Sequence, residues 1–161
     1  MILGIDSYLW LKWLHVLSST VLFGTGIGTA FQMWFAHRRG DARSIAVVAR
    51  NVVLADWLFT LPAGVLQPLT GLALAARVGI DLATPWLVVT YLLYLLAFVC
   101  WVPVAVLQMR ARDLAERAVR ENKPLPPEYR EAMRLWFMLG WPAFIGLVVI
   151  YLLMVAKPDF W

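Results

Sequence analysis

Charge is scarce in this chain, and the stretches without it are long. Only 15% of the 161 residues are charged, while 62% are hydrophobic and 14% aromatic; soluble domains carry roughly a quarter charged residues. A water-soluble fold of this size could not hide so much apolar surface, so a bilayer must be the solvent for most of it. Cysteine is nearly absent. Cys100 alone excludes an internal disulfide and a multi-thiolate metal site. Histidine is limited to His15 and His37. Alternation with a period of two is missing, which argues against a membrane β-barrel. The net charge of +4 is too small and too scattered for nucleic acid, and fits orientation in a membrane better. Nothing matches a P-loop, a dinucleotide fingerprint, a hydrolase triad or a zinc site, and there is no internal repeat.

What is present is apolar helix. From Trp13 to Ala36 there is no Asp, Glu, Lys or Arg, and about 20 helical residues span the hydrocarbon. This run is too long for the apolar core of a signal peptide and lacks a preceding basic segment, so it is expected to be retained. Three more spans follow: Asn51 to Ala76, apolar except for Asp56; Thr84 to Met109; and Leu135 to Ala156. The expected fold is all-α, a four-helix transmembrane bundle formed as one domain over residues 1–161, with helices at about 8–37, 44–76, 85–120 and 131–157. The stretch Arg110 to Arg134 extends the third helix, and Pro124, Pro126 and Pro127 stop it.

Arginines set the expected orientation. Arg38, Arg39, Arg43 and Arg50 lie between the first two spans, and seven Lys or Arg residues lie between the third and fourth, from Arg110 to Arg134. The positive-inside rule puts these loops in the cytoplasm and both termini outside, for a multi-pass protein of a bacterial cytoplasmic (inner) membrane.

Ionisable groups inside a span are costly unless they have a partner or a role. Tyr8, His15, Leu22, Gly26, Thr29 and Met33 fall within roughly 40° of one meridian of the first helix. An imidazole above a glycine gap on such a stripe suits a large flat cofactor: His15 would ligate the iron of a b-type haem, and Gly26 would admit the porphyrin edge. Lys12, one turn nearer the outer surface, would neutralise a propionate. Against this stands a packing role, since Gly24 and Gly28 have the spacing that lets membrane helices approach with no ligand present. His37 lies 22 residues on, about 33 Å along a helix, so the two histidines cannot clamp one haem within a chain, and His37 reads as interfacial.

Other residues at the depth of His15 are Gln67, Thr70, Thr90, Tyr91, Tyr94 and Tyr151, with Pro68, Thr70 and Gly71 marking a kink and close approach. Asp56, the one carboxylate deep in a span, is expected to be protonated or paired, an arginine of another helix being one partner. Trp10, Trp13, Trp86 and Trp161 on one side, and Trp34 and Trp136 on the other, read as aromatic belts, with Trp57, Trp101 and Trp141 as core.

YLWLKWLH, a glycine-containing apolar stretch, a histidine one helix later and the second-helix PLTGLALA resemble the HemJ-type protoporphyrinogen oxidases. More broadly, with WLVVTYLLYLLAFVCWVPVAVLQMRAR in the third helix, the chain is similar to small integral membrane proteins of unknown function related to HemJ and to the CopD-like copper-resistance proteins. The specific part is Lys12, His15, Thr70 and Gly71. The resemblance implies that His15 is a haem ligand. HemJ proteins carry a third-helix lysine after a tryptophan, where Thr90 stands here, and a third-helix histidine, where Cys100 and Trp101 stand. The resemblance thus implies haem binding more than protoporphyrinogen oxidation.

The reading is a haem b protein with metal ligand His15 and further cofactor contacts at Lys12, Gly26, Thr70 and Gly71. It would act in electron transfer or as a haem-dependent oxidoreductase on a quinone, porphyrin or other small molecule. Two alternatives stay open: a cofactor-free membrane subunit that packs with a partner or with its own copies, and a CopD-like copper-related protein using His15 and methionines.

Overall fold

Each helix start, and the ends of the first two spans, fall on residues whose chemistry accounts for them. The structure, a computed structural model, describes residues 6–160. Within them Asp6 caps the first helix, Ser7–Arg39, by accepting from the Tyr8 N–H, and Gly40 ends it at φ 72°, a left-handed conformation that glycine adopts without steric cost. Asp41 caps the next helix through the Ser44 N–H. Gly79, at φ 73°, ends that span. Pro85 and Pro127 open the third and fourth helices, at a position where a missing N–H costs nothing.

Four helices are long and apolar enough to cross a membrane: Ser7–Arg39, Ala42–Val78, Pro85–Arg120 and Pro127–Ala156. The described residues contain no strand. The fourth begins at Pro127 rather than near 131, since proline is the natural first residue of a helix. The second span is broken by one wide turn, Asp56–Thr60, between Ala42–Ala55 and Leu61–Val78. That π-turn sits just before Pro62, which lacks an N–H for the ladder.

The second span is central. Its arginine-rich half packs on the third helix, its other half on the first, and the third and fourth helices form the most extensive pair. The most apolar stretch of the first helix is only 6% buried, against 39% in the second, so the first helix is peripheral and broadly open. Helices of 30 to 37 residues are longer than the roughly 30 Å of hydrocarbon requires. Their excess lies at the arginine-rich end, where the tightest core forms: Met33, Ile45, Ala49, Ala111 and Ala115 are fully enclosed, with Tyr129 and Met133 beside them. Water is available there, so apolar burial again favours folding.

Tryptophan placement departs from the belt pattern. Trp86 and Trp136 are each 7% exposed and belong to the core, whereas Trp57 and Trp141 are 60% and 62% exposed and face outward. Trp101 is half-buried. Trp161 lies outside the described residues. Lipid is as apolar as a protein core, so an indole in hydrocarbon gains little by turning inward unless its N–H finds an acceptor there.

Trp136 does find one. Its Nε1–H donates to Gln108 Oε1 at 3.1 Å, and Gln108 Nε2 donates to Asp56. The Thr60 hydroxyl donates to the other Asp56 oxygen at 2.8 Å. Among the described residues no arginine takes part, which corrects the expectation of an arginine partner: Thr60 of the same span and Gln108 of the third helix meet the carboxylate instead. An indole N–H can only donate, so it fixes the Gln108 amide with its carbonyl toward Trp136 and its NH2 toward Asp56. Asp56→Leu leaves the Gln108 N–H and Thr60 hydroxyl without acceptors, and is expected to cost about 1–3 kcal/mol. Asp56→Asn retains an acceptor for Gln108 and should cost less. Equilibrium unfolding in mixed detergent micelles checks both; an equal loss in the two would show that the charge itself is required.

Candidate functional site

The first and second helices meet in one polar layer, in the half nearer the termini. His15 Nδ1 lies 2.7 Å from Thr70 Oγ1. The Thr70 hydroxyl also reaches the Leu66 carbonyl of its own helix at 2.6 Å. A hydroxyl has one proton, and the carbonyl can only accept it, so Thr70 accepts from His15. The imidazole then holds its proton on Nδ1 and a lone pair on Nε2. Nε2 makes no hydrogen bond among the described residues, and Tyr91 Oη is the one sealed, unpartnered polar side-chain atom among them. Nε2 is therefore not fully sealed, on a ring that is half-buried.

The neighbours hold this geometry. The Gln67 amide donates to the His15 carbonyl at 2.8 Å and to Ser18 Oγ at 2.6 Å, while Ser18 Oγ donates to the His15 carbonyl at 3.2 Å. A Cβ built on Gly71 would stand 3.3 Å from His15 Cε1, so glycine there lets the ring lie against the second helix. Pro68 has no N–H for the Gly64 carbonyl one turn back, and the Tyr94 hydroxyl of the third helix donates to that carbonyl instead. The Tyr151 hydroxyl joins the fourth helix to the first by donating to the Ser19 carbonyl at 2.7 Å.

Of the five residues singled out for a cofactor, the structure brings together His15, Thr70 and Gly71. Lys12 is exposed one turn away, its Nζ 5.9 Å from the Tyr8 ring centroid. Gly26 lies 11 residues on, about 16 Å along the helix, and a Cβ there would meet nothing within 4 Å. Among the depth-mates, Gln67 is a clamp, Tyr94 a carbonyl cap, and Thr90 donates to the Trp86 carbonyl of its own helix at 2.8 Å. His37 stands at the arginine-rich end, its Nδ1 3.4 Å from Tyr129 Oη and its ring against Phe137. Ser18 was not singled out in the sequence; its signal is the spacing of three from His15, matched by Gln67 and Thr70 on the facing helix. Met33 and Met133 are sealed in the core at the arginine-rich end, remote from His15. Among the described residues no three of His, Cys, Asp and Glu gather into a metal cluster. Two hollows, of about 430 and 340 Å³, open at the arginine-rich end and neither is lined by His15.

Four helices of membrane length, with a His15–Thr70 contact between the first two, are the architecture of a polytopic integral membrane protein. The chain belongs to the DUF2269 family of predicted integral membrane proteins, whose family model matches residues 9–158 and so takes in His15 and nearly all of the four helices. No curated protein and no solved structure matches it.

Thr70→Val removes the acceptor for the Nδ1 proton while keeping the shape. Nitrogen-15 NMR of labelled histidine is expected to show His15 as the Nδ1–H tautomer in the natural protein and a shift toward Nε2–H in the variant. An Nε2–H tautomer in the natural protein would overturn the assignment.

Proposed function

We propose that His15 would hold the iron of a b-type haem, and that the protein serves electron transfer or haem-linked redox chemistry on a small molecule or quinone. The observation that carries this reading is the Thr70 contact, which leaves Nε2 unprotonated, unbonded by any described residue and not fully sealed. A metal-ligating imidazole is commonly oriented in this way, its second nitrogen donating to a fixed acceptor. Haem, when bound, supplies a one-electron couple. His15 would hold the iron, with Thr70 and Gly71 fixing the ring and Lys12 neutralising a propionate. Lys12 has no ion pair among the described residues. Gly26, on the His15 meridian, keeps its side open. The likeness to HemJ-type proteins at Lys12, His15, Thr70 and Gly71 supports the same reading. The arginine-rich loops support a cytoplasmic-membrane protein with both termini outside.

A second reading has its own observation. Added Cβ atoms at Gly24 and Gly28 would meet nothing within 4 Å, and this spacing suits close approach of another membrane helix. On that reading the protein is a cofactor-free subunit that assembles with a partner or a second copy. The CopD-like copper reading lacks a comparable observation, since Met33 and Met133 lie in the core at the other end.

Absorption spectra of the detergent-purified protein, expressed with a haem supply, separate the two. The haem reading expects a Soret band with α and β bands that sharpen on dithionite reduction, lost in His15→Ala. A colourless natural protein would sink it. The assembly reading expects Gly24→Leu and Gly28→Leu to lower the oligomeric mass seen by native mass spectrometry, whatever the colour.

A further inference from the structure

At the arginine-rich end, away from His15, a hollow of about 430 Å³ opens between the first and second helices. Its wall is apolar, from Phe31, Phe35, Val47 and Val48, and its rim carries Arg39 and Arg43. Phe31, Phe35 and Val47 are 60%, 43% and 52% exposed, so the wall faces outward into the bilayer. Phe31 stands eight residues before Arg39, about 12 Å along the helix. A guest would therefore be cationically held at one end and apolar over the rest.

The rim arginines are not locked into close ion pairs, although the Arg43 charge adds to the pull that lowers the Asp41 carboxyl. Neither Arg39 nor Arg43 forms an ion pair among the described residues. The Arg39 guanidinium is instead placed over the Phe35 ring, 4.5 Å from its centroid. The carboxylate on the rim, Asp41, accepts from the Ser44 N–H at 2.8 Å and the Ser44 hydroxyl at 2.6 Å, bonds that hold its carboxyl below the usual range. Asp41 also caps the second helix, so recognition of an anion falls to the guanidinium groups. A second hollow of about 340 Å³ shares Val47 and adds Arg50 and Arg120 against Glu116, and the Arg120–Glu116 pair is loose at 3.8 Å. Over the two hollows arginines outnumber carboxylates by four to two.

Acyl chains fill any opening toward hydrocarbon, so the apolar wall alone selects nothing. The rim selects. Guanidinium groups bind phosphate oxygens in a planar, bidentate fashion, and basic pockets beside membrane helices take anionic headgroups. We propose that this hollow is a binding site for one anionic glycerophospholipid, its phosphate between Arg39 and Arg43 and an acyl chain along Phe31, Phe35 and Val47. The site is independent of any cofactor at His15.

Native mass spectrometry of the detergent-solubilised full chain, titrated with phosphatidylglycerol or phosphatidylcholine, tests it. Preferential retention of phosphatidylglycerol is expected, falling by about five-fold for each arginine removed in Arg39→Gln and Arg43→Gln. The double variant Arg110→Gln/Arg134→Gln makes the same change in net charge as Arg39→Gln and Arg43→Gln combined, away from both hollows, and is expected to keep the preference. Val47→Trp leaves the charge alone, fills the shared wall and is expected to lose the lipid. Equal binding of the two lipids, an equal loss in the control variant, or unchanged binding in Val47→Trp would each overturn the proposal. So would displacement by sn-glycerol 3-phosphate or inorganic phosphate at the concentration at which phosphatidylglycerol binds, since an isolated phosphate would then suffice.

Discussion

A hydroxyl or amide inside hydrocarbon has no water to bond to, and the arrangement of this bundle follows from that constraint. Apolar surface gains nothing by leaving lipid for a protein interior, so helix association must come from packing and from polar bridges between helices. The bridges here are few and specific. His15 meets Thr70, Gln67 meets Ser18, Tyr94 meets the Gly64 carbonyl, Tyr151 meets the Ser19 carbonyl, and Asp56 gathers Gln108 and, through it, Trp136. Two join the first and second helices and two the second and third, while Tyr151 and Trp136 bring in the fourth, so together they reach all four. Individually they contribute about 0.6–2 kcal/mol in a membrane; jointly they fix which helix faces which. Where the helices leave the hydrocarbon, the device changes, and small alanines close a dry core around Tyr129 and Met133.

The spans were legible because an uncharged apolar run long enough to cross a bilayer is seldom anything but a membrane helix. Much of the polar layer was legible too. Lys12, His15, Thr70 and Gly71 stood out as ionisable or small residues at one depth, and three of them meet in the structure. What stayed hidden was direction. The sequence marked Asp56 as deep in a span and Trp136 as a belt residue and did not single out Gln108, and nothing in a periodicity says that an indole turns inward to fix an amide, which in turn faces a carboxylate. The same gap misassigned the tryptophans: counting residues from the membrane edge gives the height of Trp86, Trp136, Trp57 and Trp141, not the side they face. In a soluble protein hydrophobicity predicts the side; in lipid both sides are apolar and the rule loses its force. The π-turn escaped for a related reason. Pro62 signals a missing N–H, but the widening spread over the whole turn before it.

Proline and tyrosine in the middle of the bundle show how one local defect becomes a contact. Pro68 leaves the Gly64 carbonyl without its helical donor, and a buried carbonyl in that state is costly. Tyr94 reaches it from the third helix. Gly64 has no side chain to obstruct that hydroxyl, whose oxygen would lie 3.7 Å from an added Cβ. Two residues that weaken a helix in isolation thus create the socket that fixes its neighbour. This raises the specificity of the second span, which alone contacts the first and third helices extensively.

The first helix is the exception to this mutual enclosure. It carries His15 yet is the least covered of the four, and its glycines at 24, 26 and 28 meet nothing. A helix needs no glycine to face lipid, where larger apolar side chains serve as well. Three glycines within one and a half turns remove bulk on several sides and cost helix stability of about 1 kcal/mol each relative to alanine. A cofactor edge on the Gly26 meridian would use the space on one side, and an approaching helix would use Gly24 and Gly28. Both outcomes place the missing mass on the same helix and leave the second, third and fourth helices as its support. The placement of His15 fits that division: its Nδ1 is anchored inward on Thr70, and its Nε2 is left without a bond from any described residue.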